Sequence, residues 1–217
     1  MISAGVVNAA YISAMVLFVM DLSGLSGEKT APRGNWYGIA GMVIALSATI
    51  LGLVTDNYLE LMAAVLVGGG VGLLVAKRVQ MTAMPELIAL LHSFVGLAAV
   101  MVGYAKFADI NPEFSGIELT IHNIEIYVGV LIGAITFSGS VIAYGKLSGR
   151  MGAKAVVLPG RGLFSLAVLL VAFWFGREFV HQSAVGGGML PLLIMTAVAL
   201  VFGIQLVMAI GGADMTV

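Results

Sequence analysis

PELIALLHSFVGLAAVMVGYA, residues 85–105, is an apolar run of membrane-spanning length that carries one imidazole, His92. About 20 predominantly apolar residues suffice for a helix to cross a bilayer. An ionisable group inside such a run is expensive to bury and therefore marks a functional position. On a helix, Gly96, Ala99 and Gly103 follow His92 at +4, +7 and +11 and share its face. Small residues on one face let a second helix backbone approach closely, so the pattern predicts that His92 points into a helix bundle. Two readings of His92 stand at this stage. It is a structural histidine bonded to a neighbouring helix, or it is a proton-relay or gating group, since histidine changes charge near neutral pH.

The rest of the chain has the same character. Of its 217 residues, 60% are hydrophobic and only 10% charged, and 29 are glycine. A water-soluble domain of this size cannot hide that much apolar surface. The expected fold is an all-α, polytopic integral membrane protein forming a single transmembrane domain over 1–217. Its seven spans fall at about 3–22, 37–54, 58–76, 85–105, 122–145, 162–180 and 190–210. The runs are continuously apolar and do not alternate, which favours helices over a barrel. The first lacks a basic n-region and a clear cleavage site, so it reads as a retained span and not a signal peptide.

Several function classes are excluded. There is no cysteine, which removes disulfides, thiol catalysis and cysteine metal sites. The net charge is −1 and no basic block occurs, so nucleic acid is not an expected partner. Gly68, Gly69, Gly70 and Gly72 follow no strand and form no G-x-G-x-x-G pattern, so they are not a nucleotide loop. Gly68 and Gly72 are a small-xxx-small pair, which predicts close helix packing. No metal-ligand spacing and no nucleophile–base–acid set is present.

The basic residues give an orientation. Lys29, Arg33, Lys77, Arg78, Lys146, Arg150, Lys154 and Arg161 follow spans one, three and five; only Lys106 and Arg177 fall on the other side. The positive-inside rule then puts the N-terminus outside and the C-terminus inside. The outer loop 106–121 is acidic, with an Asn111–Pro112 turn signal. The inner loop 146–161 is basic, with Pro159, and suits either anionic lipid or a soluble partner.

Other polar groups lie along the bundle. Gly129, Gly133, Thr136 and Ser140 repeat on span five the spacing seen around His92, with Ser138 on a different face. Ser140 and Thr136 either offer hydroxyls to the interior or bond their own helix backbone. Glu86 beside Pro85 suits a first helical turn, where a carboxylate complements the helix dipole; the alternative is an inner proton antenna. His92 lies six residues deeper, about 9 Å along the axis. His122 and His181 sit near the outer surface, at a depth that does not pair with His92 for a bis-histidine haem. Gln205 is a candidate for a bond across helices.

MPELIALLHSFVGLAAVMVG (84–103), NWYGIAGMVIAL (35–46), IGAITFSGSVIAYGKLSG (132–149), LLIMTAVALVFG (192–203) and IGGADM (210–215) together resemble the beta subunit of proton-translocating NAD(P) transhydrogenase. The resembling segments run in order over essentially the whole chain. The resemblance implies a proton-conducting membrane domain, coupled to hydride transfer from NADH to NADP at soluble domains. It implies that His92 is the proton-channel group, that Ser140 lines the same region, and that Asp214 lies in a loop where the NADP-binding domain docks. That family's subunit continues through two further helices and an NADP-binding domain, whereas this chain stops at Val217. The expectation is a truncated membrane domain that alone holds no cofactor, with NAD(H) and NADP(H) belonging to the complete enzyme. The implied partners are an alpha-type subunit with an NAD-binding domain and membrane helices, the NADP-binding domain, a second copy of the complex, and the lipid of a bacterial cytoplasmic membrane, with a mitochondrial inner membrane the other option. Two other classes remain open: a structural anchor or dimerisation module, and a small-solute transporter, which calls for broken helices or inverted repeats.

Overall fold

Among the described residues, seven segments are long and apolar enough to cross a membrane, and each forms one helix. The computed structural model describes residues 3–27, 29–52, 58–109, 115–156, 160–183 and 186–211; among them there is no strand. The turn signal at Asn111–Pro112 and the loop residue Pro159 fall outside the described residues. Contacts divide the chain into two units, Met1–Arg78 and Val79–Val217.

The first unit holds α1 (Ala4–Leu25), α2 (Ala31–Gly52) and α3 (Tyr58–Arg78). α1 and α2 form an antiparallel hairpin. Thr30 closes its turn by donating from Oγ1 to the carbonyls of Gly24 at 2.6 Å and Gly27 at 2.9 Å. Gly24 and Gly34 allow the backbones to meet: a methyl on Gly24 would stand 2.6 Å from the Cα of Gly34. Nearer the other end, the hydroxyls of Tyr11 and Thr49 share a 2.8 Å bond. α3 has no buried residue. Nothing described lies within 4 Å of a methyl built on Gly68, Gly69, Gly70 or Gly72. The close packing expected of Gly68 and Gly72 is therefore not made within the described residues.

The second unit begins with a 3-10 turn at Met81–Ala83 and continues through α4 (Met84–Ala108), α5 (Ile117–Leu147), α6 (Arg161–Ser183) and α7 (Met189–Met208). α5 is the central helix and packs on each of the other three. Its Ile126, Tyr127, Val130 and Ala134 form a core with Phe179 of α6 and Leu192, Met195 and Ala199 of α7. In a membrane, such a seam is held by van der Waals packing and interhelical hydrogen bonds, because lipid is as apolar as the side chains. Tyr104 of α4 shares a 2.9 Å hydroxyl bond with Thr196 of α7. The Tyr127 hydroxyl donates to the Ala172 carbonyl of α6 at 2.6 Å.

Candidate functional site

Glycines set the geometry of the α4–α5 seam. A methyl on Gly96 would lie 2.5 Å from the Phe137 nitrogen and 2.7 Å from the Gly133 carbonyl; one on Gly103 would overlap Val130. Between these contacts α4 advances seven residues while α5 recedes seven, an antiparallel register. Four residues back from Gly96 is His92, and four on from Phe137 is Val141, the neighbour of Ser140. The register thus sets His92 level with Ser140.

The small face expected on α4 packs, but His92 stands outside it. Ala89, Ser93, Gly96 and Gly103 are the buried residues of α4. Their midline is rotated roughly 60° from His92 on a helix of 3.6 residues per turn. His92 is exposed, beside the equally exposed apolar side chains of Ile88, Leu91 and Val95. The other helices of its own unit leave it uncovered, so the bundle interior expected around His92 is not formed by α5, α6 or α7. The face expected for the seam packs, but rotated: His92 sits at the margin of the stripe whose centre is Gly96.

On α5 the expected face divides similarly. Gly133 is in the seam, where a methyl would stand 2.9 Å from the Gly96 carbonyl, while Gly129 meets nothing described. Thr136 and Ser140 are partly buried, and among the described residues neither hydroxyl has a hydrogen-bond partner. Ser138 is buried against α7, where it faces Gly203, and donates to its own helix at Ala134 O, 3.0 Å away.

Glu86 occupies the first turn of α4, with Pro85 at its start, the place expected of a dipole-complementing carboxylate. It is partly buried. Asp214 lies outside the described residues. Gln205 is buried on α7, and its Oε1 has no hydrogen-bond partner among the described residues, so the expected bond across helices is not made through that atom.

One polar group escaped sequence reading. Lys146, expected at the start of the inner loop, belongs to α5 and is only 3% exposed. Its Nζ donates to the carbonyls of Ile210 at 2.6 Å, Met208 at 3.0 Å and Val207 at 3.3 Å. The Val156 nitrogen donates to the same Met208 carbonyl at 2.9 Å. The segment after α5 and the end of α5 thus converge on the C-terminal turn of α7, immediately before Gly211.

The amino-acid sequence has known relatives. The sequence profile of the NAD(P) transhydrogenase beta subunit matches residues 7–217. The chain belongs to that family. The NAD(P) transhydrogenase subunit beta of Rhodospirillum rubrum is 41% identical over 214 residues, an alignment covering 96% of this chain and 45% of that protein. The subunit of the same name from a designated strain of that species gives the same figures. The chain therefore spans about half the length of the curated relatives it matches. Family membership and seven apolar helices make it a membrane protein, the membrane component of a transhydrogenase beta subunit.

Proposed function

We propose that this chain is the part of a transhydrogenase through which protons cross the membrane, with His92 as the relay and Ser140 lining its path. The observation that carries the reading is the α4–α5 register. It brings an imidazole and a hydroxyl, neither with a hydrogen-bond partner among the described residues, to one depth on two apolar helices. Imidazole can accept a proton from one side and release it to the other. An exposed imidazole in a membrane helix also calls for covering groups from outside its own unit, because bare exposure to lipid is unfavourable.

The remaining assignments follow from this reading. Glu86, at the start of α4, is the proton antenna on the cytoplasmic side, with the chain's C-terminus on that same side. Asp214 sits where the NADP-binding domain docks. NAD(H) and NADP(H) act on domains outside this chain, an alpha-type subunit completes the assembly, and the complex is a dimer in a bacterial cytoplasmic membrane. Linkage makes the coupling reciprocal: if the NADP(H) state alters proton affinity at His92, protonation alters nucleotide affinity equally.

The test is the full complex in vesicles with His92→Ala, recording hydride transfer and lumen acidification together and assembly separately. The expected result is loss of acidification in a correctly assembled complex. Normal acidification per hydride would leave His92 a packing residue. The unpacked glycine face of α3 favours an anchoring role for that helix, and a complex that fails to assemble with its glycines replaced would support it. The transporter reading has less support, since each of α1–α7 runs unbroken.

A further inference from the structure

On the surface of the second unit, α5 and α6 enclose an open groove of about 600 Å³. Tyr127 forms its floor. The ring lies against Gly176, where a methyl would stand 3.0 Å from Cε1, and the hydroxyl is spent on the Ala172 carbonyl. The walls are apolar, from Ile124 to Leu131 on α5 and from Leu169 to Val180 on α6, with one charged lining residue, Arg177. Arg177 is exposed and, among the described residues, has no ion-pair partner. Glu178, beside it in sequence, and Glu125, beside Ile124 on α5, are absent from the lining; Glu178 accepts from Gln182 Nε2 at 2.7 Å.

The dimensions identify the occupant. Leu169 to Val180 is twelve residues, whose Cα atoms span about 16 Å along a helix axis, which is half of a hydrocarbon core of about 30 Å. The groove is therefore one leaflet long. Arg177 lies one turn short of the end nearer the terminus of α6 at Ser183, where a long cationic side chain reaches the headgroup region by snorkelling. A spanning protein helix would need twice this length of contact and close approach on small residues. An acyl chain needs neither.

We propose that the α5–α6 groove is a binding site for one phospholipid of net negative charge, its acyl chain along the apolar walls and its phosphate on Arg177. A zwitterionic headgroup brings its own cation beside the guanidinium, so Arg177 selects against it. The proposal is independent of the transhydrogenase reading.

The test uses the complete assembly in phosphatidylcholine vesicles containing a trace of phospholipid with a diazirine-bearing acyl chain, either phosphatidylglycerol or phosphatidylcholine. After irradiation, labelled peptides are read by mass spectrometry. The groove segments 124–131 and 169–180 are expected to take about fivefold more label from phosphatidylglycerol, the scale of one basic residue near a bilayer surface. Arg177→Gln brings the two lipids to parity, and Arg177→Lys keeps the preference, which separates charge from folding. In the unmutated protein a tenfold rise in salt reduces the preference, a check that needs no variant. Equal labelling by both lipids in the unmutated protein would overturn the site, as would a preference that survives Arg177→Gln. A groove labelled by neither lipid would mean that a protein segment covers it, and would overturn the site as well.

Discussion

The ammonium of Lys146 donates to the carbonyl of Ile210 at 2.6 Å, and its other two protons go to Met208 and Val207. A buried cation is tolerable only when its donors are satisfied, and here the partners are the carbonyls that a helix end leaves unpaired. The negative end of the α7 dipole adds attraction. Lys146→Met keeps the length of the side chain but takes the donor from the Ile210 carbonyl, while Met208 O keeps Val156 N and Val207 O keeps Ile210 N. We expect a stability loss of about 2 kcal/mol, read as a lower thermal midpoint and faster proteolysis after residue 210. Arg in place of Lys should recover part of it. An unchanged midpoint in Lys146→Met would mean that α7 ends without the clamp.

Gly96 and Gly68 should respond in opposite ways to an added methyl. A methyl on Gly96 meets the backbone of α5, which cannot yield as a side chain can. Gly96→Ala should therefore part α4 from α5 and destabilise by about 1–3 kcal/mol, the usual cost of overpacking. A methyl on Gly68 meets nothing described, so Gly68→Ala in the isolated chain should be neutral or gain about 0.5–1 kcal/mol through helix propensity. Thermal unfolding of the two purified variants in one detergent makes the comparison. Equal damage from both would mean that α3 packs through its glycine face.

Tyr127 is the bond between α5 and α6, through its hydroxyl on Ala172 O and its contact with Gly176. Tyr127→Phe retains the ring and its 5.5 Å partnership with Phe179. Only the hydrogen bond is lost, worth about 0.6 kcal/mol on average between membrane helices. A loss above about 3 kcal/mol would show that the hydroxyl does more than join these two helices.

The apolar runs made all seven helices legible, because spanning backbone must satisfy its hydrogen bonds internally. Their ends were less so. α2 begins at Ala31 and α5 at Ile117, several residues before the expected starts at 37 and 122. Hydropathy marks where lipid begins, whereas helical hydrogen bonding continues through polar residues such as Arg33 and Asn35. The small faces of α4 and α5 were legible as a seam. The rotation of His92 away from it was not, since neighbouring positions on a helix wheel differ by only tens of degrees and the packing of bulky neighbours decides between them. Lys146 was illegible for a different reason. Its partners are more than 60 residues away in sequence, and nothing local distinguishes it from the solvated lysines of a basic loop.

His92 and Ser140 offer a test sharper than either substitution alone. If both belong to one proton path, the defects of His92→Ala and Ser140→Ala should not add. In the reconstituted complex, His92→Ala should slow acidification about 100-fold or more, the lower range for losing a proton-transferring side chain. Ser140→Ala should slow it about fivefold, the worth of one hydrogen bond of about 1 kcal/mol. Once the imidazole is gone, the hydroxyl has nothing to orient, so the double variant should match His92→Ala within error. Coupled groups depart from additivity by at least about 0.5 kcal/mol, while independent ones add. A double variant fivefold slower than His92→Ala would place the two residues in separate roles, and their common depth in the α4–α5 register would then be a matter of packing alone.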